Sequence, residues 1–162
     1  MPSPASVAAR ADATQTFGLE LLREYRHEGQ VPYCLVSHNP ELELICDTWI
    51  GQADDLESFR APLRYICSRF ESGGYRFWLA DLRYLNSGFH HSAEWLAETV
   101  YPLTVAHGLE REAVVLPSSG PVPYEFDVQG AASSALNRIM DGRVRGFTSP
   151  VEARRWLLDG TD

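Results

Sequence analysis

The run Phe77-Trp-Leu-Ala-Asp-Leu82 constrains this chain more than any other stretch. It lacks the polar alternation of a half-solvated strand, so it reads as a central strand buried on both faces. Two further short apolar runs, Ala113-Val-Val-Leu116 and Val144-Arg-Gly-Phe147, read as partners for it. Helical stripes separate these runs. Phe59, Leu63, Ile66, Cys67 and Phe70 recur at 3.6-type spacing, ended by Gly73-Gly74. Asp54 opens that helix, with Glu57 three residues later as a capping box. After a loop over residues 83–92, Trp95, Leu96, Thr99, Val100 and Leu103 mark a second helix, with Pro102 expected to kink it and Gly108 to end it. A third helix is expected over 126–140, beyond the turn-rich stretch 117–123. The last helix has the clearest start, with Ser149 as N-cap, Pro150 at the first position and Glu152 at the third.

Upstream, Tyr33–His38 and Leu42–Trp49 flank the turn formers Asn39-Pro40-Glu41, which predicts an antiparallel hairpin. Phe17, Leu21 or Leu22, and Tyr25 predict a short amphipathic helix within Thr14–His27. The expected order is β-β-α-β-α-β-α-β-α. That is an α/β domain: a mixed, mostly parallel sheet with an N-terminal antiparallel hairpin and helices packed on it. Residues 1–12, rich in Ala, Ser and Pro, read as a disordered tail, 13–30 as an N-terminal helix or extension, and 31–162 as the α/β domain. The four tryptophans, Trp49, Trp78, Trp95 and Trp156, lie in different elements and read as core anchors.

Composition narrows the function classes. All 14 basic residues are arginine, which removes Schiff-base and phosphate-loop lysine chemistry. A net charge of −8 disfavours nucleic acid and anionic membrane surfaces. No apolar run approaches a membrane span, and the N-terminus lacks the apolar centre of a signal peptide. Cys34, Cys46 and Cys67, odd in number and without a CxxC pair, suit buried free thiols in a reducing compartment. The cytoplasm is the expected location. No nucleophile elbow, HExxH pair or glycine-rich phosphate loop occurs, so neither an enzyme nor a cofactor is expected. His90 and His91 are adjacent, so their rings point apart, and no third ligand at suitable spacing completes a metal set.

The segments Trp78–Arg83, Glu94–Leu96 with Tyr101-Pro102, Ala113–Pro117 and Phe147–Leu158 together resemble small stand-alone bacterial proteins of the STAS-like superfamily. That fold is shared by sulfate-transporter tails and anti-sigma-factor antagonists and is related in topology to a lipid-carrier fold. The resemblance covers roughly residues 31–160 and rests on element order. In the antagonist branch a serine after the corresponding strand is phosphorylated by a partner kinase. The resemblance implies that Ser87 is that acceptor, although Asn86 stands where the family carries Asp and His90-His91 lengthen the loop.

Loops that follow parallel strands share the carboxyl edge of the sheet, where open α/β sheets bind ligands. Asp81, Arg83, Asn86, Ser87, His90, His91, Ser118 and Ser119 fall on two such loops or at their start and form the expected ligand or partner surface. The expected function is a non-catalytic regulatory module that binds a protein partner such as a kinase or sensor. Phosphorylation of Ser87 or a small anionic ligand would switch it. The alternatives are a passive homodimeric interaction domain, or a carrier holding a lipid or other apolar molecule between sheet and helices.

Overall fold

The computed structural model describes residues 15–53, 55–117 and 142–160. The expectations for the tail, for Asp54, for the turn and helix within 118–141, and for Ser118 and Ser119 lie outside the described residues. Six strands form one sheet in sequence order: β1 Glu20–Arg26, β2 Pro32–Asn39, β3 Leu44–Gly51, β4 Phe77–Leu85, β5 Arg111–Val115 and β6 Val144–Phe147. β1, β2 and β3 pair antiparallel, and β3 through β6 pair parallel. The chain is therefore α/β with a mixed sheet, an antiparallel N-terminal part and helices packed on it.

The expected helix within Thr14–His27 is corrected to strand β1. Leu22 and Tyr25 both pack against the core beneath the helices. They are three residues apart because register shifts between Leu21 and Arg23 and between Tyr25 and Arg26 break the two-residue alternation. A bulged strand thereby imitates the spacing of a helix. The sheet begins within the segment read as an N-terminal helix or extension.

Helix α1, Leu56–Ser72, follows β3. Its N-cap is Asp55, which is extended and whose carboxylate accepts the Ser58 N–H at 2.9 Å. The stripe Phe59, Leu63, Ile66, Cys67 and Phe70 is buried as expected. Gly73, at φ 86°, ends the helix with its N–H on the Phe70 carbonyl.

The second helical segment, α2, spans 90–106 in four pieces. A 3-10 turn His90–Ser92 leads into an α-turn Ala93–Trp95, then a π-turn Leu96–Val100, then an α-helix Tyr101–Ala106. The deviation expected at Pro102 takes the form of this wide turn just before it, since proline offers no N–H to the preceding turn. The extra residue also shifts the inward face. Thr99, expected inward, is exposed, and Thr104 is fully buried with its hydroxyl donating to the Tyr101 carbonyl at 3.0 Å. The last helix, α3 Pro150–Arg154, continues into a π-turn Arg155–Asp159. Ser149 caps it by accepting the Glu152 N–H at 3.3 Å.

Side-chain alternation along the strands divides the core in two. One face carries Ile45, Trp49, Trp78, Ala80 and Val114 beneath α1 and α2. The other carries Leu44, Cys46, Leu79, Ala113 and Val115 beneath Trp156 and Leu157 of the last helix. β4 lies between β3 and β5, covered on both faces as its apolar run requires. Trp49, Trp78 and Trp156 are buried, and Trp95 is partly buried against the first core. All three cysteines are free and buried. No helix among the described residues is long and apolar enough to cross a membrane.

The cap assignment is testable. Asp55→Ala should lower the unfolding free energy by about 1 kcal/mol, read from urea denaturation. An unchanged urea midpoint would move the N-cap elsewhere.

Candidate ligand-binding site

The residues expected at the carboxyl edge of β4 are largely occupied with one another. Asp81 is buried, and Arg83 grips it with Nε at 3.0 Å from Oδ1 and Nη2 at 2.8 Å from Oδ2. The guanidinium expected to hold an anion is thus matched to a carboxylate on its own strand. Ser87 is only 1 % exposed. Its Oγ accepts the N–H of Ala53 at 2.9 Å, which fastens the end of β4 to the connection between β3 and α1. The Asn86 N–H donates to the Gly51 carbonyl at 2.8 Å beside it. The outer part of the loop is more open: Asn86 and His91 are exposed and His90 is half-buried. His91 Nδ1 lies 2.7 Å from Ser92 Oγ, which also accepts Arg60 Nε at 3.2 Å. Phe89 is buried and stacks on Phe59 with ring centroids 4.9 Å apart. Among the described residues, no group of three or more His, Cys, Asp or Glu could hold a metal ion.

A second location was not singled out from the sequence. Between the sheet and the two helical segments lies a largely apolar cavity of about 70 Å³. Its floor includes Asp47 of β3, Trp78 and Ala80 of β4, and Glu112 and Val114 of β5. Phe59 and Leu63 of α1, with Leu96, Val100 and Tyr101 of α2, form the opposite wall. The α2 wall coincides with the π-turn Leu96–Val100 and its junction with the following helix. A partly open apolar hollow with few converging polar groups has the lining of a small-molecule site, at a smaller volume than most.

Strand parity and ladder register put the polar groups there. Asp47 alternates inward with Ile45 and Trp49, and it pairs with Ala80 across the β3–β4 ladder. Trp78 pairs with Glu112 across β4–β5, so the two acids flank β4 on the same face. Asp47 is fully buried and accepts two indole N–H groups, Trp49 Nε1 on Oδ2 and Trp78 Nε1 on Oδ1, each at 2.7 Å. Desolvation raises its pKa to about 6 despite those donors. Glu112 keeps some exposed surface as a residue, but its carboxyl is desolvated. Burial, and then the charge of Asp47, push it well above the ordinary carboxylate range.

The signal for Asp47 was present in the sequence as an acid at an inward position of the run Leu44–Trp49. Glu112 required the β4–β5 register, which sequence spacing does not supply.

Two predictions follow from this geometry. Ser87→Ala should cost about 1–3 kcal/mol, because the Ala53 N–H loses its buried acceptor. Ser87→Asp should cost at least as much, since a carboxylate must enter the same buried space. Urea denaturation of both variants is the check, and wild-type stability would show that Ser87 is not held as described. The second concerns Asp47. The native state holds a proton that the unfolded chain has already lost near pH 4, so this group's contribution to stability falls as pH rises from about 4 to about 6. Stability of Asp47→Asn relative to wild type should therefore rise across that window, by at most about 3 kcal/mol. A constant difference from pH 4 to 7 would contradict the assignment. Comparison of the chain with protein-family models, with curated proteins and with solved structures finds no match.

Proposed function

We propose that this chain is a non-catalytic, ligand-responsive binding module: a small molecule with an apolar body occupies the cavity between sheet and helices, and a protein partner reads its presence. The observation that carries this reading is the pairing of apolar walls with a fixed polar anchor. Asp47 is held by two indole donors at 2.7 Å, so it stands in one orientation facing the cavity. Preorganised anchors of this kind orient a ligand at little entropic cost.

The π-turn supports the second half of the reading. Such turns occur frequently at functional sites, where they change which residues a helix presents. Leu96 and Val100 touch the cavity, and Glu94, Glu98 and Thr99 on the same segment are exposed. A ligand that displaces the inner residues alters the outer ones, and that exposed face is the proposed partner surface. Cytoplasmic placement belongs to the same proposal, because three buried free thiols suit a reducing compartment. Likeness to STAS-like proteins enters here as a shared element order and no more.

The other expected switches have less support in the geometry. A kinase would need the loop to open before reaching a serine hydroxyl that is buried against Ala53. An anion at Arg83 would compete with Asp81, already bound through two guanidinium nitrogens. A passive dimer through the edge strand β1, where Leu21 is 43 % exposed, predicts a constant oligomer that ignores the cavity.

The test is organic extraction of the full chain purified from its own host, followed by mass spectrometry. A small molecule near one per chain is expected from wild type. Ala80→Leu, which adds three carbons to the cavity floor, should lose the molecule while circular dichroism stays native. Equal retention by Ala80→Leu would place the molecule elsewhere. A wild-type chain that carries nothing, and whose tryptophan fluorescence ignores small apolar probes, would overturn the reading.

A further inference from the structure

The cavity holds two acids and, among the described residues, no arginine or histidine lines it. This departs from how the fold treats several other acids. Arg83 binds Asp81, Arg64 binds Glu57, Arg76 binds Glu110 and Arg26 binds Glu24. The side-chain donors to Asp47 are neutral indoles, one on each oxygen, joined by its own backbone N–H. A carboxylate has about four lone-pair sites, so each of its oxygens retains acceptor capacity. No hydrogen bond or ion pair from a described residue reaches the Glu112 carboxyl. Among the described residues the site thus combines spare acceptors with acids that have no cationic neighbour in the lining, and Trp49, Trp78 and Tyr101 supply aromatic rings beside them.

Resting on the ligand-binding reading above, we propose that the ligand is a small primary or secondary amine, its apolar body in the cavity and its ammonium between Asp47 and Glu112. An ammonium group has donors and no acceptors, which matches a site whose described charged groups are both carboxyls. A carboxylate ligand would meet like charge, and an alcohol would leave the acidic charge uncompensated. Size sets the scale. A cavity of about 70 Å³ corresponds to roughly two water volumes, so a ligand of several heavy atoms must push the α2 wall outward.

Above about pH 6 Asp47 is ionised and supplies one negative charge for the ammonium. Burial and the charge of Asp47 push the Glu112 carboxyl above the ordinary carboxylate range. Among the described residues, the titratable groups around Asp47 are Glu112 and Tyr101 at the cavity, the buried thiols of Cys34 on β2 and Cys46 on β3, and Asp81 acting through the sheet. α1 contributes only Phe59 and Leu63. Amine affinity therefore falls as pH drops through about 6, where protonation of Asp47 removes the charge.

The experiment titrates the full chain with n-butylamine, 1-butanol and butyrate at pH 8 and pH 5. Tryptophan fluorescence and amide NMR shifts of the cavity residues are the readouts. Saturable amine binding at least tenfold tighter than butanol at pH 8, weakening at least tenfold at pH 5, is the expected result. Asp47→Asn should lose at least tenfold of the amine affinity and leave butanol binding within twofold. Glu112→Leu keeps the two indole contacts intact and should also weaken the amine selectively, which guards against misfolding of the first variant. Equal binding of amine and butanol would overturn the amine assignment and leave a neutral ligand in the cavity. Failure of every probe to move the cavity signals would overturn the cavity reading as well.

Discussion

Everything beneath α1 and α2 is organised around a single acceptor, the carboxylate of Asp47. It stands on β3, where the sheet changes from antiparallel to parallel pairing, and it binds one indole from its own strand and one from β4. Buried indole N–H groups need acceptors, and a fully buried carboxylate needs donors, so each requirement meets the other. The orientation of the rings then propagates outward. Trp49 stacks on Phe59 at 5.0 Å, Phe59 stacks on Phe89 at 4.9 Å, and Phe70 packs against Trp78 at 6.2 Å. α1 is therefore seated on two rings whose direction the carboxylate sets.

The acids of this sheet show how strand parity assigns chemistry. Asp47 and Asp81 sit one position apart in the β3–β4 ladder, so they project to opposite faces. On its face Asp81 meets Arg83 and is neutralised by a full charge. On the other face Asp47 meets donors that orient it without cancelling its charge. Hydrogen bonding alone can satisfy a buried carboxylate geometrically while desolvation still disfavours its ionised form, and a pKa near 6 reflects that balance. Strongly perturbed acids lining a cleft cluster at functional sites. Ser87 is the opposite case. Its hydroxyl is neutral, buried and fully engaged in closing a connection, which makes it a fastening of the fold.

What the sequence disclosed was what is local. The apolar run of β4, the stripe of α1, the glycine that ends it and the Ser149 cap depend on residues within a few positions of one another, and each stands where expected. The departures have two causes. At β1 a bulge replaced alternation with a spacing of three; at α1 two adjacent aspartates offered the same cap; at α2 a π-turn displaced Thr99 in favour of Thr104. The bulge and the π-turn each insert one residue, which leaves composition unchanged and alters the phase of everything after it, whereas the cap lies between neighbours of the same type. The site was less legible than the fold, because it lies where three strands bring together residues 47, 78 and 112. The polar loop after β4 drew attention by composition, yet its buried members serve the backbone.

The wall of the cavity is where these constraints relax. Within an α-helix Pro102 would lack the N–H owed to the carbonyl four residues earlier, and the π-turn immediately before it spreads that deficit over a wider ring of backbone. This turn contributes Leu96 and Val100 to the cavity lining. The floor is the reverse: strands paired on both sides, with the anchor fixed by two short hydrogen bonds. A paired floor below and an irregular backbone above is the arrangement that the proposed conversion of occupancy into surface change requires. Such a change would pass outward through α2, where Glu94, Glu98 and Thr99 are exposed.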